Sequence, residues 1–244
     1  MPDHVSTAAA SVIAAMPHAL WRANQMSTYR TPTIASGYAE LDAELPNGGW
    51  PRSSVTELLL QQHGIGEMQL LGAALAPLSQ SRRIAFIQPP HAPQGQACYA
   101  WGLRPDNVLW LRTKTSADAL WTAEQILRTG GSCGAMVLWQ SNIRPESLRR
   151  LNLAAQSTDT CLWIIRPISA KADTSPAALR LALRPAYGGV NIEIVKRRGP
   201  HSDEVLYLSL PGMPSTRHIE VDHALLDQRV SAAAAARSAA PVLV

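Results

Sequence analysis

The sequence predicts an α/β fold: a mostly parallel central sheet flanked by helices, with an antiparallel hairpin on one edge. Three observations predict it. From Ile34 to Arg166, strand-like and helix-like segments alternate, separated by Gly, Pro and polar turns. Several strand-like segments are continuous apolar runs, such as Leu58-Leu59-Leu60 and Ala135-Met136-Val137-Leu138, and such runs need cover on both faces. After residue 176 the period shortens to two, with Leu179, Leu181 and Leu183 alternating with polar or small neighbours.

Each element has its own signal. Residues 1–23 are Ala-rich, with Val12, Ile13, Met16 and Leu20 at helical spacing and Pro17 interrupting them. Residues 24–33 read as a polar linker. A strand is expected over 54–60 and a helix over 68–79. The next strand, 83–88, is bounded by Pro89-Pro90, and a short helix over 94–102 leads to a strand at 107–111. Over 116–129, Ala119, Leu120, Ala123 and Leu127 share a helix face, with Ser116 as N-cap and Gly130-Gly131 as terminator. A buried strand at 134–140 precedes a helix at 145–156 that begins on a proline, and then a strand at 161–166. Antiparallel strands follow at 190–196 and 205–210, joined through Arg197-Arg198-Gly199-Pro200. The segments 55–60, 84–87 and 137–139 are expected to be adjacent parallel strands. The resulting division is a helix and linker at 1–33, a core at 34–212 and an Ala-rich tail at 213–244. The tail reads either as a partner-binding helix or as disorder.

Composition narrows the function. A chain of 244 residues has room for one sizeable α/β core plus tails. A net charge of +4 permits contact with nucleic acid or acidic proteins without demanding it. Cys98, Cys133 and Cys161 lack metal-ligand spacing and read as small core residues; no metal is expected. An odd cysteine count with no signal peptide points to the cytoplasm, and no apolar run reaches membrane-spanning length. Trp110, Trp121, Trp139 and Trp163 fall on apolar elements and read as core, whereas Trp21 and Trp50 lie at the periphery as candidate partner contacts.

The segment Gln61-Gln62-His63-Gly64-Ile65-Gly66-Glu67-Met68 sits between an apolar strand and an apolar helix, where a phosphate-binding loop belongs. A working loop reads G-x-x-x-x-G-K-[ST], its Lys reaching the phosphates and its hydroxyl holding Mg²⁺. Here Glu67 and Met68 take those places. A carboxylate repels a triphosphate, and a thioether is a poor Mg²⁺ ligand. The residues His63, Gly64, Gly66, Glu67 and Met68 therefore form a degenerate nucleotide loop, in which glycine N–H groups could still meet an anion.

The run Ile34-Ala35-Ser36-Gly37-Tyr38-Ala39-Glu40-Leu41-Asp42, followed by Leu45-Pro46-Asn47-Gly48-Gly49-Trp50-Pro51-Arg52, resembles the lead-in to a RecA-type core. The resemblance continues through Ala85-Phe86-Ile87, Trp101-Gly102-Leu103 and Gly134-Ala135-Met136-Val137-Leu138-Trp139, and ends at Ile194-Val195-Lys196-Arg197-Arg198, covering roughly 34–210. It implies an acidic residue after the fourth apolar strand, where this chain has Gln140. It implies a catalytic glutamate after the strand following the loop helix, where this chain has Pro90. With Lys, Ser/Thr, Asp and Glu all absent, phosphoryl transfer loses charge neutralisation and water activation together. No catalytic residue, no cofactor and no enzymatic activity are expected on this ground.

The loops that contact DNA in RecA-type recombinases are short here: 141–144 after the fourth strand, and 167–176 with Lys171. Candidate DNA or subunit contacts are Arg144, Arg166, Lys171, Lys196, Arg197 and Arg198. Val12, Ile13, Met16, Leu20, Trp21 and Trp50 are candidate partner contacts. A RecA-like core with this Trp-Pro-Arg lead-in, altered nucleotide loop and short DNA loops is similar to the ImuA family. That resemblance implies a non-catalytic RecA-like accessory subunit of bacterial SOS-induced mutagenesis, supporting error-prone translesion DNA synthesis. Its implied partners are ImuB, an error-prone C-family DNA polymerase subunit and RecA, with DNA met weakly or through partners, and its implied location is the cytoplasm, at the nucleoid when in complex. The alternatives are a SulA-type inhibitor of the tubulin-like division protein and an active RecA-type DNA-dependent ATPase.

Overall fold

A computed structural model describes residues 32–199 and 204–213. The helix read over 1–23, with Val12, Ile13, Met16, Leu20 and Trp21, and the tail beyond residue 213 lie outside the described residues.

The elements run β1 (Thr33–Ile34), α1 (Ala39–Glu44), β2 (Trp50–Pro51), β3 (Val55–Leu60), α2 (Glu67–Ser79), β4 (Arg83–Ile87), α3 (Gly95–Ala100), β5 (Val108–Leu111), α4 (Ser116–Arg128), β6 (Cys133–Trp139), α5 (Pro145–Gln156), β7 (Cys161–Pro167), β8 (Leu179–Ala186), β9 (Gly189–Lys196) and β10 (Leu206–Ser209). Eight strands form one sheet in the order β10-β9-β8-β3-β7-β6-β4-β5. β8, β3, β7, β6, β4 and β5 are parallel, and β9 and β10 extend the sheet antiparallel. β1 and β2 pair in a separate antiparallel ribbon. The fold is the expected mixed α/β architecture.

The expected neighbours among the strands need correction. β4 and β6 are adjacent, but β7 lies between β6 and β3. Sequence patterning reports which segments are buried strands. It carries nothing about how many positions a crossover skips, and the β3–α2–β4 crossover passes over two.

Alternation along the strands builds two faces. On one, Leu58, Leu60, Phe86, Val137, Trp163 and Ile165 pack beneath Leu70, Leu71, Ala74 and Leu75 of α2 and Leu41 of α1. On the other, Val55, Ile87, Met136, Leu138 and Ile164 pack beneath Ala119, Ala123 and Leu127 of α4 and Leu148, Leu151 and Ala155 of α5. The three cysteines are buried thiols, as expected.

The tryptophans divide differently from expectation. Trp50 is fully buried, edge-on to Trp163 with ring centroids 5.9 Å apart. Pairing of β2 with β1 carries it into the core, so it offers no partner contact. Trp110 and Trp121 are exposed, because β5 is an edge strand and Trp121 lies on the outer side of α4. The cap of α4 is Thr115, whose hydroxyl accepts from the Asp118 N–H, and Ser116 is already the first helical residue.

Candidate functional site

In an open parallel sheet the carboxyl ends of the strands face the ligand crevice. Here those ends present the loop 61–66 after β3, the segment 88–94 after β4 and Gln140 after β6. The loop is shaped by Gly64 and Gly66, both in the left-handed region with φ of 80° and 105°. A Cβ on Gly66 would stand 2.5 Å from the tip of the Leu210 side chain, which would have to shift, so the left-handed backbone is the stronger reason for glycine there.

Glu67 opens α2 and turns its carboxylate back onto the Gly64 N–H, which donates to Oε1 at 2.9 Å and to Oε2 at 3.1 Å. The carboxylate is buried and sits against the positive end of the helix. The protein's own side chain thus takes a backbone donor that a phosphate would otherwise meet. Beside it lies a cavity of about 310 Å³ walled by Met68, Phe86, Pro90, Trp101 and Trp139. Pro90 is exposed at its rim, and Gln140 donates from Nε2 to Ser116 Oγ at 2.8 Å, tying the end of β6 to the start of α4. His63 is exposed on the loop. The structure therefore brings Gly64, Glu67, Met68 and Pro90 together around one cavity, with Gln140 at the end of the strand that carries Trp139.

The candidate basic contacts do not form one surface. Arg166 is buried: its Nη1 donates to Glu57 Oε1 at 2.9 Å and its Nη2 to Asp173 Oδ2 at 2.7 Å. Arg180 completes the group, donating from Nε to Glu57 Oε2 at 2.6 Å and from Nη2 to the Ala170 carbonyl at 2.8 Å. Arg166 thus holds the turn after β7 against the sheet and cannot reach DNA. Lys171 pairs with Glu193. Arg197 reaches across to α1, donating to Glu44 Oε2 at 2.7 Å and to the Glu44 carbonyl. Arg144 is exposed at the start of α5. Lys196 and Arg198 are exposed at the opposite end of the sheet from the loop 61–66, since β9 ends where β8 and β3 begin.

Sequence reasoning missed the charged clamps. Glu57 in the middle of an apolar strand and Arg166 at the end of another were the available signals, because a charge in a buried run demands a partner. A second clamp joins Asp159 to Arg52 and Arg82 at 2.8 Å each, and the Arg82 hydrogen bond holds the Asp159 carboxyl below its ordinary range, with burial opposing.

No family model matches the chain. Curated relatives do. RecA of Oceanobacillus iheyensis is 26% identical over 190 residues, covering 66% of this chain and 54% of the relative. RecA of Bacillus licheniformis is 24% identical over 203 residues, covering 72% of this chain and 58% of the relative. RecA of Borrelia duttonii is 28% identical over 162 residues, covering 57% of this chain and 44% of the relative. The chain is RecA-like. It spans about half the length of these relatives. They also overturn the expectation that the chain is not an enzyme: all of these relatives are RecA proteins, a likeness that runs against it. That expectation rested on four missing side chains in the loop and at the strand ends. Among the described residues no helix is long and apolar enough to cross a membrane.

Proposed function

We propose that this RecA-like chain is an accessory protein of DNA repair, of the ImuA kind, that supports damage-induced, error-prone translesion synthesis. It works by contact with ImuB, an error-prone C-family polymerase and RecA, in the cytoplasm and at the nucleoid when in complex. One observation supports the reading above others. A RecA-like core carries, at the start of its loop helix, a buried glutamate folded onto the Gly64 N–H in place of the phosphate-facing lysine. Such a core keeps the shape that a RecA filament or a polymerase accessory can recognise, while its loop has been rebuilt. The segments 1–23 and 213–244 are proposed as additional partner contacts. The role does not depend on whether the chain also turns over a nucleotide.

The test is made in cells and with purified protein. Tagged full-length chain is expected to capture ImuB and RecA, and its deletion to remove damage-induced mutagenesis. Chains lacking 1–23 or 213–244 are expected to keep the core fold and lose part of the capture. Unchanged mutagenesis in the deletion strain, with no capture of either protein, would overturn the proposal.

A further inference from the structure

At the amino end of β3, away from the loop 61–66, lies a cleft of about 810 Å³. Among the described residues its lining has three cations, Lys196, Arg197 and Arg198, and no acidic residue. Arg197 is neutralised by Glu44. Lys196 donates to the Ser175 carbonyl at 2.8 Å, which leaves its charge uncompensated. Arg198 has no ion-pair partner among the described residues. The rest of the lining is uncharged, with the amides of Asn152 and Gln156 on α5 and prolines at 32, 46, 51 and 176.

The backbone around the cleft is held under strain. Asn47 and Ser53 both line it, and both lie in the left-handed region, with φ of 57° and 58°. Strain of this kind persists where surrounding structure imposes it, and it concentrates at binding sites. Ser53 is pinned there by its hydroxyl, which donates to the Thr158 carbonyl at 2.5 Å. Asn152 Oδ1 accepts from the Val55 N–H at 3.2 Å, and its amide N–H groups meet no acceptor among the described residues.

We propose that this cleft docks an extended acidic peptide segment of a partner protein. Two uncompensated cations in a concave site fit one or two carboxylates. They fall short of the track of phosphate contacts that sustains nucleic-acid binding. Side-chain amides offer both donor and acceptor, matching a peptide backbone, whereas phosphate uses donors alone. Prolines at the rim present rigid apolar surface without further donors of their own. The inference stands apart from the accessory role and does not rest on it.

The test uses full-length protein and a fluorescein-labelled twelve-residue peptide of alternating Glu and Ser, read by anisotropy. Binding is expected, and the same peptide with Gln for Glu should bind at least tenfold more weakly. Arg198→Glu, and separately Lys196→Glu with Arg198→Glu, should each weaken binding at least tenfold. Arg198→Lys should restore much of it, and Arg144→Glu, at the far end of α5, should leave it unchanged. Because Arg198 is exposed and has no ion-pair partner among the described residues, its variant tests the cleft without breaking a described contact. Equal binding of the Gln peptide, no binding at all, or tighter binding of a single-stranded oligonucleotide through Arg198 would each overturn the proposal.

Discussion

Glu67 closes the loop after β3 on itself by accepting the Gly64 N–H with both carboxylate oxygens, at 2.9 and 3.1 Å. The pair fixes a loop whose glycines would otherwise leave it free, and it places a negative charge on the positive end of α2. Glu67→Ala removes a buried, charge-assisted hydrogen bond and should cost about 1.5–3 kcal/mol of stability. It also frees the Gly64 N–H for an external anion. Urea unfolding should show the loss, and titration calorimetry should show tighter binding of pyrophosphate by the variant than by the natural chain. Unchanged stability and unchanged anion affinity would mean that the contact contributes nothing in solution.

The buried group of Glu57, Arg166 and Arg180 joins β3, β7 and β8 at their shared face. Removing Glu57, the shared carboxylate, leaves Arg180 buried and uncompensated, at a cost of about 3–5 kcal/mol. Glu57→Gln should therefore destabilise strongly, since Arg180 would lose its buried carboxylate and Arg166 would keep only the half-exposed Asp173. Asp173→Asn should cost much less, because the Asp173 side chain is half-exposed and, among the described residues, its carboxylate pairs with Arg166 alone. Denaturant unfolding of the two variants should rank them in that order.

These clamps mark where the sequence was legible and where it was not. Strand and helix bounds came out within a residue or two, because apolar runs such as 58–60 and 135–138 are bracketed by Gly, Pro and polar turns. Gln140 and Pro90 stand at the ends of β6 and β4 for the same reason. Placement of Arg166 failed because a basic residue after a strand looks identical whether it faces solvent or a buried carboxylate 109 positions away in sequence. Trp50 failed in the same way: its partner, Trp163, comes from a strand that the local pattern cannot join to it. The fold of Glu67 onto Gly64 spans three residues and was open to reading as a carboxylate at a helix start, yet its meaning depends on the loop geometry.

Gly189 begins β9 opposite Ser209 of β10, and a Cβ there would lie 2.0 Å from the Leu208 carbonyl oxygen. Backbone cannot move aside as a side chain does. Gly189→Ala should thus cost about 1–3 kcal/mol, as overpacking does, by pushing β10 off the sheet. Amide exchange should locate the damage: faster exchange in 206–209 is expected, with protection in β4 and β6 retained.

Acid should release the α4–α5 contact. Glu124 is buried between Arg150 and Arg128, and the Arg150 hydrogen bond, opposed by burial and aided by Arg128, holds its carboxyl below the usual range. A depressed carboxylate stabilises the fold above its unfolded value and loses that contribution as pH falls through its folded value. The loss should begin below about pH 4.3, the ordinary glutamate value. In Glu124→Gln this portion of the acid dependence should vanish, and a natural chain with the same stability slope as the variant between pH 5 and 2 would exclude the mechanism.

The thiols should be inert in the folded chain. Cys161 is fully buried, and burial pushes its thiol up to about 12, so the thiolate that reacts is scarce at neutral pH. Cys98 and Cys133 are buried too, and burial raises both, with nearby Arg82 and Arg83 only partly offsetting the effect at Cys133. Treated with a chromogenic disulfide reagent at pH 8, the native chain should release colour only at the rate of its unfolding. In denaturant three equivalents should appear at once, one for each cysteine. A fast equivalent from the native chain, mapped by mass spectrometry to Cys161, would show that β7 opens at its amino end, and it would locate the weak point of the sheet beside the Arg52–Asp159–Arg82 clamp.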